Sequence, residues 1–215
     1  MSVTAAALDQ SARIPLGVKV GFSAFMAVLV PTYLYWYGPT NFLYFCDVSL
    51  LLTLFGIWTE SALLISMCAI GILVPQIIWV IDFLAHVAGF SLTGMTDYMF
   101  IADHSFFLRF LSGFHGWLPF LLMFLVWKVG YEQRSLLAWT ILAWALLLVC
   151  YFVMPGPQPN AGLTPVNINY VFGTSDASPQ NFVLPLVWLA GLMIGLPLLA
   201  FIPTHLVLRR FAPQA

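Results

Sequence analysis

The chain has 215 residues, 62% of them hydrophobic and only 7% charged, with a formal net charge of −1. So little polar surface cannot cover a globule in water, and lipid must serve as most of the solvent, which makes an all-α integral membrane protein the expected class. The balanced charge and the lack of any basic run exclude an electrostatic nucleic-acid binder, and no polar stretch is long enough for a separate soluble domain.

Arg13 and Lys19 precede an apolar run that continues to Gly38 and ends in Tyr33-Leu-Tyr-Trp-Tyr37. That run exceeds the about 7–15 residues of a signal-peptide core and lacks small residues at its end, so it reads as a helix that stays in the membrane. Counting runs of about 20 apolar residues gives six spans, at 16–37, 41–58, 61–87, 105–128, 133–154 and 183–208, in one transmembrane domain covering residues 1–215. Pro31, Pro75, Pro119, Pro197 and Pro203 should kink or locally unwind four of them. Six spans place both termini on one side. Arg13, Lys19, Lys128, Arg134, Arg209 and Arg210 all fall on that side and Arg109 on the other, so the termini are expected to be cytoplasmic. The Tyr33–Tyr37 aromatics then read as anchors at the outer interface. Two long loops, 88–104 and 155–182, map to the same outer side. The second is rich in Pro, Asn and Gly and should be irregular backbone, placed as a lid.

The segment from Asn41 to Leu52 carries Cys46 and Asp47 among apolar residues. A carboxylate at membrane depth is disfavoured by about 3 kcal/mol, so Asp47 needs a protein or water partner. The candidates lie in the outer half with it. Asp82 and His86 share a face of the third span at a spacing of four, and Arg109, Ser112 and His115 descend through the fourth, with His104 just before it. Cys46, Cys68 and Cys150 are odd in number and lie in apolar runs, which argues against a disulfide framework.

Two chemistries fit this set. In one, Cys46 is a nucleophile, His115 its base, Asp47 or Asp82 orients the imidazole, and Asn or Tyr groups of the second loop hold an oxyanion or a lipid headgroup, with Arg109 near a phosphate; no cofactor is needed. In the other, Asp82, His86 and His115, helped by His104 or Asp47, bind zinc and generate hydroxide. A proton-coupled carrier using Asp47, Asp82 and the histidines, and a non-catalytic scaffold, are the readings from other classes. No His-Glu-x-x-His, Gly-x-Ser-x-Gly or phosphate-cradling glycine motif is present.

Three short features, Phe45-Cys-Asp47 followed by Leu50-Leu-Leu52, Gly113-Phe-His-Gly116, and Asn167, Asn169 and Tyr170 before the last span, occur in an order that resembles the YwaF-type bacterial integral membrane family. That family also includes a eukaryotic ether-phospholipid acyltransferase. The resemblance implies Cys46 as nucleophile and His115 as its partner in moving an acyl chain to or from a membrane lipid, in a multi-pass protein of the bacterial inner membrane. The chain departs from the eukaryotic members in having Phe45 and Asp47 about Cys46, where they have Pro and His.

Overall fold

A computed structural model describes residues 13–90, 92–101 and 105–215. The regular structure of the described residues is helical, in the order α1 (Leu16–Trp36), α2 (Phe45–Thr59), α3 (Ala62–Val87), α4 (Phe106–Ser112), α5 (Phe114–Val129), α6 (Ser135–Phe152), α7 (Pro185–Leu196) and α8 (Ile202–Phe211). Among the described residues five stretches are long and apolar enough to cross a membrane: α1, α3, α4 with α5, α6, and α7 with α8. The helix α2 is shorter at 15 residues, about 22 Å of rise. It begins four residues later than the sequence predicts, because Pro39–Leu43 forms a 3₁₀ turn instead.

The longest helix, α3, is the axis of the bundle and packs against α2, α5 and α6. Ser61 starts it by accepting a hydrogen bond from the Leu64 amide at 3.3 Å, and its residues from Ile65 to Leu73 are all buried. Two of the expected spans are interrupted. The fourth breaks at Gly113, between α4 and α5. The sixth contains a π turn at Pro197–Phe201, where proline cannot donate to the carbonyl four residues back. That carbonyl, on Met193, instead accepts from the Trp144 indole at 2.7 Å.

Both ends of the described chain meet at one end of the bundle. The Arg13 and Ile14 amides donate to the Glu60 carboxylate at 3.0 and 3.2 Å, and the Arg13 guanidinium donates to the Val129 carbonyl at 3.4 Å. Tyr131 pairs with the chain terminus through Pro213 and Ala215. The segments 88–90, 92–101 and 153–184 lie at the opposite, loop end.

Glu60 ties the terminal end together, since Lys19 also donates to it at 2.8 Å. The Lys19 bond, more than the two amides, holds the Glu60 carboxyl below its ordinary value of 4.5. A carboxyl depressed by folding adds stability above its unfolded value, and that stability is lost as pH falls through the lower folded value. Glu60→Gln should therefore lower stability by about 1 kcal/mol at neutral pH, for a partly exposed pair, and by progressively less as the medium is acidified below pH 4.5. Thermal unfolding in detergent across that range checks this; a deficit independent of pH would refute it.

Candidate functional site

The site is built on the first turn of α2 at the loop end. Asp47 is 3% exposed and accepts from the Asn41 amide at 3.2 Å and from the Cys46 thiol at 3.7 Å, both through Oδ2. Its second oxygen has no hydrogen-bond partner among the described residues. A carboxylate in the first turn is favoured by the unpaired amides there. No side chain of its own caps α2; Asn169 does so from more than a hundred residues away. Its Oδ1 accepts from the Phe45 amide at 3.0 Å, while its Nδ2 donates to the Leu43 carbonyl at 2.9 Å. Asn169 reaches both because residues 167, 169 and 170 all have left-handed backbones, with φ of +48°, +58° and +59°. Such conformations cost about 1–3 kcal/mol each and persist only where surroundings impose them.

Facing Asp47 is α1. Tyr33, expected at the lipid interface, is 3% exposed, and its hydroxyl pairs with Ser112 at 3.0 Å. The Asp47 carboxylate lies within electrostatic reach of the Tyr33, Tyr37 and Tyr44 hydroxyls. The Ser112 carbonyl in turn takes a 2.7 Å hydrogen bond at Nδ1 of His115. A carbonyl can only accept, so Nδ1 carries the proton and Nε2 presents a lone pair. The imidazole is stacked between Trp79, at 4.7 Å, and Phe114, at 4.0 Å. A polar cluster, the chamber, is thus formed by the hydrogen-bonded pair Cys46 and Asp47 and, within electrostatic reach of that carboxylate, by Tyr33, which Ser112 joins to His115. No hydrogen bond joins Cys46 directly to His115.

Asp82, His86 and Arg109 do something different: they hold the loop segment 92–101. Asp82, 1% exposed, accepts from the Thr93 amide at 2.7 Å, the Thr96 amide at 3.0 Å and the Thr96 hydroxyl at 2.7 Å. His86 Nδ1 lies 3.3 Å from the Asp97 carboxylate, and its ring stacks on Phe100 at 3.9 Å. Arg109 donates to the Met99 carbonyl at 3.2 Å, while its Nε has no partner among the described residues. The clamped loop brings in Tyr98, which lies beside Ser112 and Trp79 and within electrostatic reach of Cys46 and Tyr170. Burial pushes the Tyr98 and Tyr170 phenols up, so both are neutral hydroxyls.

Asn167 plays for the second loop the part that Asp82 plays for the first. Its amide donates to the Gly173 and Ser175 carbonyls at 2.8 and 3.1 Å and its oxygen accepts from Phe172 at 2.9 Å. The Tyr170 carbonyl accepts from the Trp188 indole at 2.9 Å, anchoring the loop to α7. Among the described residues no three His, Cys, Asp or Glu side chains gather as a metal cage would require; His104 lies outside the described residues.

Sequence reasoning did not single out Tyr33, Asn41 or Tyr98 as members of the chamber. Asn41 lies in the 3₁₀ turn that leads into α2, and a tyrosine in a long loop over a buried carboxylate is the signal that Tyr98 offered. Comparison of the chain with known protein families, with curated proteins and with solved structures returned no match.

Proposed function

We propose that the chain is a lipid acyltransferase or lipid hydrolase of a cell membrane, crossing the bilayer six times with both termini cytoplasmic and the chamber open to the outer leaflet. The observation that carries this reading is the polar cluster, in which a thiol bonded to a carboxylate lies near the Tyr33 hydroxyl, which Ser112 joins to an imidazole protonated at Nδ1. The resemblance to the YwaF-type family points the same way. Six crossings rest on the two ends of the described chain meeting at one end of the bundle, and the orientation on the six basic residues collected there against Arg109 alone.

In the first step the Cys46 sulfur attacks the acyl carbonyl of a lipid ester. The carbon–sulfur bond forms, the ester carbon–oxygen bond breaks, and the thiol proton passes by way of Asp47 to the departing alcohol. In the second, His115 Nε2 takes a proton from the acceptor hydroxyl, of a second lipid or of water, whose oxygen displaces the sulfur; that proton returns to the thiol. In this reading Tyr98 and Tyr170 donate to the oxyanion and Arg109 to a headgroup phosphate. Asn167 and Asn169 serve by shaping the second loop and the start of α2.

Purified chain should therefore release or transfer acyl groups from labelled phospholipid in mixed micelles. Cys46→Ala should abolish this and His115→Gln lower it by about 10²–10⁴-fold, the usual worth of a general base. A chelator should have no effect. Undiminished turnover by Cys46→Ala would refute the thiol mechanism, and loss on chelation would turn attention to zinc.

A further inference from the structure

A long loop outside a membrane is ordinarily polar, and the first loop is not. Asp82 fixes it through the Thr93 and Thr96 amides, yet it turns large apolar side chains outward. Phe90 and Leu92, together with Phe106 and Phe110 of α4, are 60–75% exposed. Phe106 and Phe107 stand four and three residues before Phe110 and so share the outward face of α4, while Leu108, Leu111 and Ser112 are buried behind them. No charge interrupts that face. Arg109 turns instead to the Met99 carbonyl at 3.2 Å, and the exposed carboxylate of the loop, on Asp97, is paired with His86 at 3.3 Å.

Exposed apolar patches on an ordered surface mark contact with a protein or with a membrane. Continuity selects the membrane. On α3 the exposed residues Ile77, Ile81, Leu84 and Val87 recur every three or four positions, which makes them the stripe by which that helix meets lipid, and Phe90 follows three residues later. On α5 the exposed rings of Phe120 and Phe124 carry the surface of α4 onward along the same span. The second loop is the contrast, for its exposed stretch 174–179 reads Thr-Ser-Asp-Ala-Ser-Pro and holds no large apolar side chain. We propose that the first loop and α4 form a collar sunk in the leaflet at the loop end, with Phe90, Leu92, Phe106 and Phe110 among the upper acyl chains of its phospholipids. The depth is that of an interfacial helix, about 5–10 Å into the boundary between headgroups and acyl chains. Lipid and not water then lies against the loop that carries Tyr98 to Ser112 and Trp79, which gives a membrane lipid a sideways approach to the polar cluster. That approach rests on the lipid-enzyme reading; the collar itself does not.

The test uses the full native chain in phosphatidylcholine liposomes that contain a phospholipid with an aryl diazirine near the head of one acyl chain, photolysed and mapped by mass spectrometry. Adducts at Phe90, Leu92, Phe106 and Phe110 should be as frequent as at Ile81 and Leu84 of α3, and several-fold more frequent than across 174–179. A water-soluble aryl diazirine should give the reverse order. Collar residues that take the water-soluble reagent as readily as 174–179 does, and the lipid reagent no more readily, would overturn the collar. Protection of these residues from both reagents would place a second copy of the chain on the patch, and would overturn the lipid assignment too. Lipid turnover in the same liposomes reads the Cys46 mechanism separately, so the failure of either leaves the other standing.

Discussion

Gly71→Ala is expected to destabilise the bundle by about 3 kcal/mol, a fall of roughly 6–12 °C in the unfolding midpoint for a chain of this size. The added methyl would overlap the Trp139 indole, which is fully buried and has Phe45 and Phe201 on other sides at 6.1 and 6.5 Å. Three helices meet there, so the indole cannot retreat without moving α6 or α2. Alanine is the better helix former by about 1 kcal/mol, so only a packing clash gives the loss its sign. The double variant Gly71→Ala with Trp139→Phe should recover part of it, a coupling that a double-mutant cycle in detergent reads directly. A neutral or stabilising Gly71→Ala would mean that α3 and α6 do not pack as described.

Asp82→Ala should have its effect on one loop and leave the bundle standing. Three donors on Thr93 and Thr96 converge on the carboxylate, and hydrogen bonds to a charged group are worth about 1.5–3 kcal/mol each. Part of that is regained when the freed loop meets water, leaving a local opening cost of about 3 kcal/mol, or about 100-fold faster amide exchange across 92–101. Exchange in the core of α3 should be unchanged. Because the same loop carries Tyr98 into the chamber, lipid turnover should fall with it although Asp82 touches no substrate. Asp82→Asn should give a smaller change in both, since its carbonyl oxygen still accepts. Unaltered exchange in this segment would contradict the clamp.

The contrast between Asp82 and Asp47 shows which parts of the site were legible. Both carboxylates were conspicuous in the sequence because apolar segments carry few charges, and the spacing of Asp82 and His86 correctly puts them on one face. Hydropathy has no term for which neighbour that face meets, so nothing indicated that Asp82 and His86 hold a loop while Asp47 stays in the chamber. The extents of α1, α3 and α6 follow from continuous apolar runs. The start of α2 does not, because its cap is supplied by Asn169 across the fold, and the break at Gly113 is hidden inside a run that remains apolar. An aromatic at a helix end suits a lipid-facing anchor, and only the pairing of Tyr33 with Ser112 turns it inward.

The proposal that Cys46 and His115 serve one reaction is tested most directly by mass spectrometry of the Cys46 peptide from the His115→Gln variant after incubation with phospholipid. If His115 activates the acceptor, the first step proceeds without it, and the peptide should accumulate a fatty acyl group that hydroxylamine removes. A peptide that stays unmodified under these conditions, in a variant that remains folded, would contradict the mechanism.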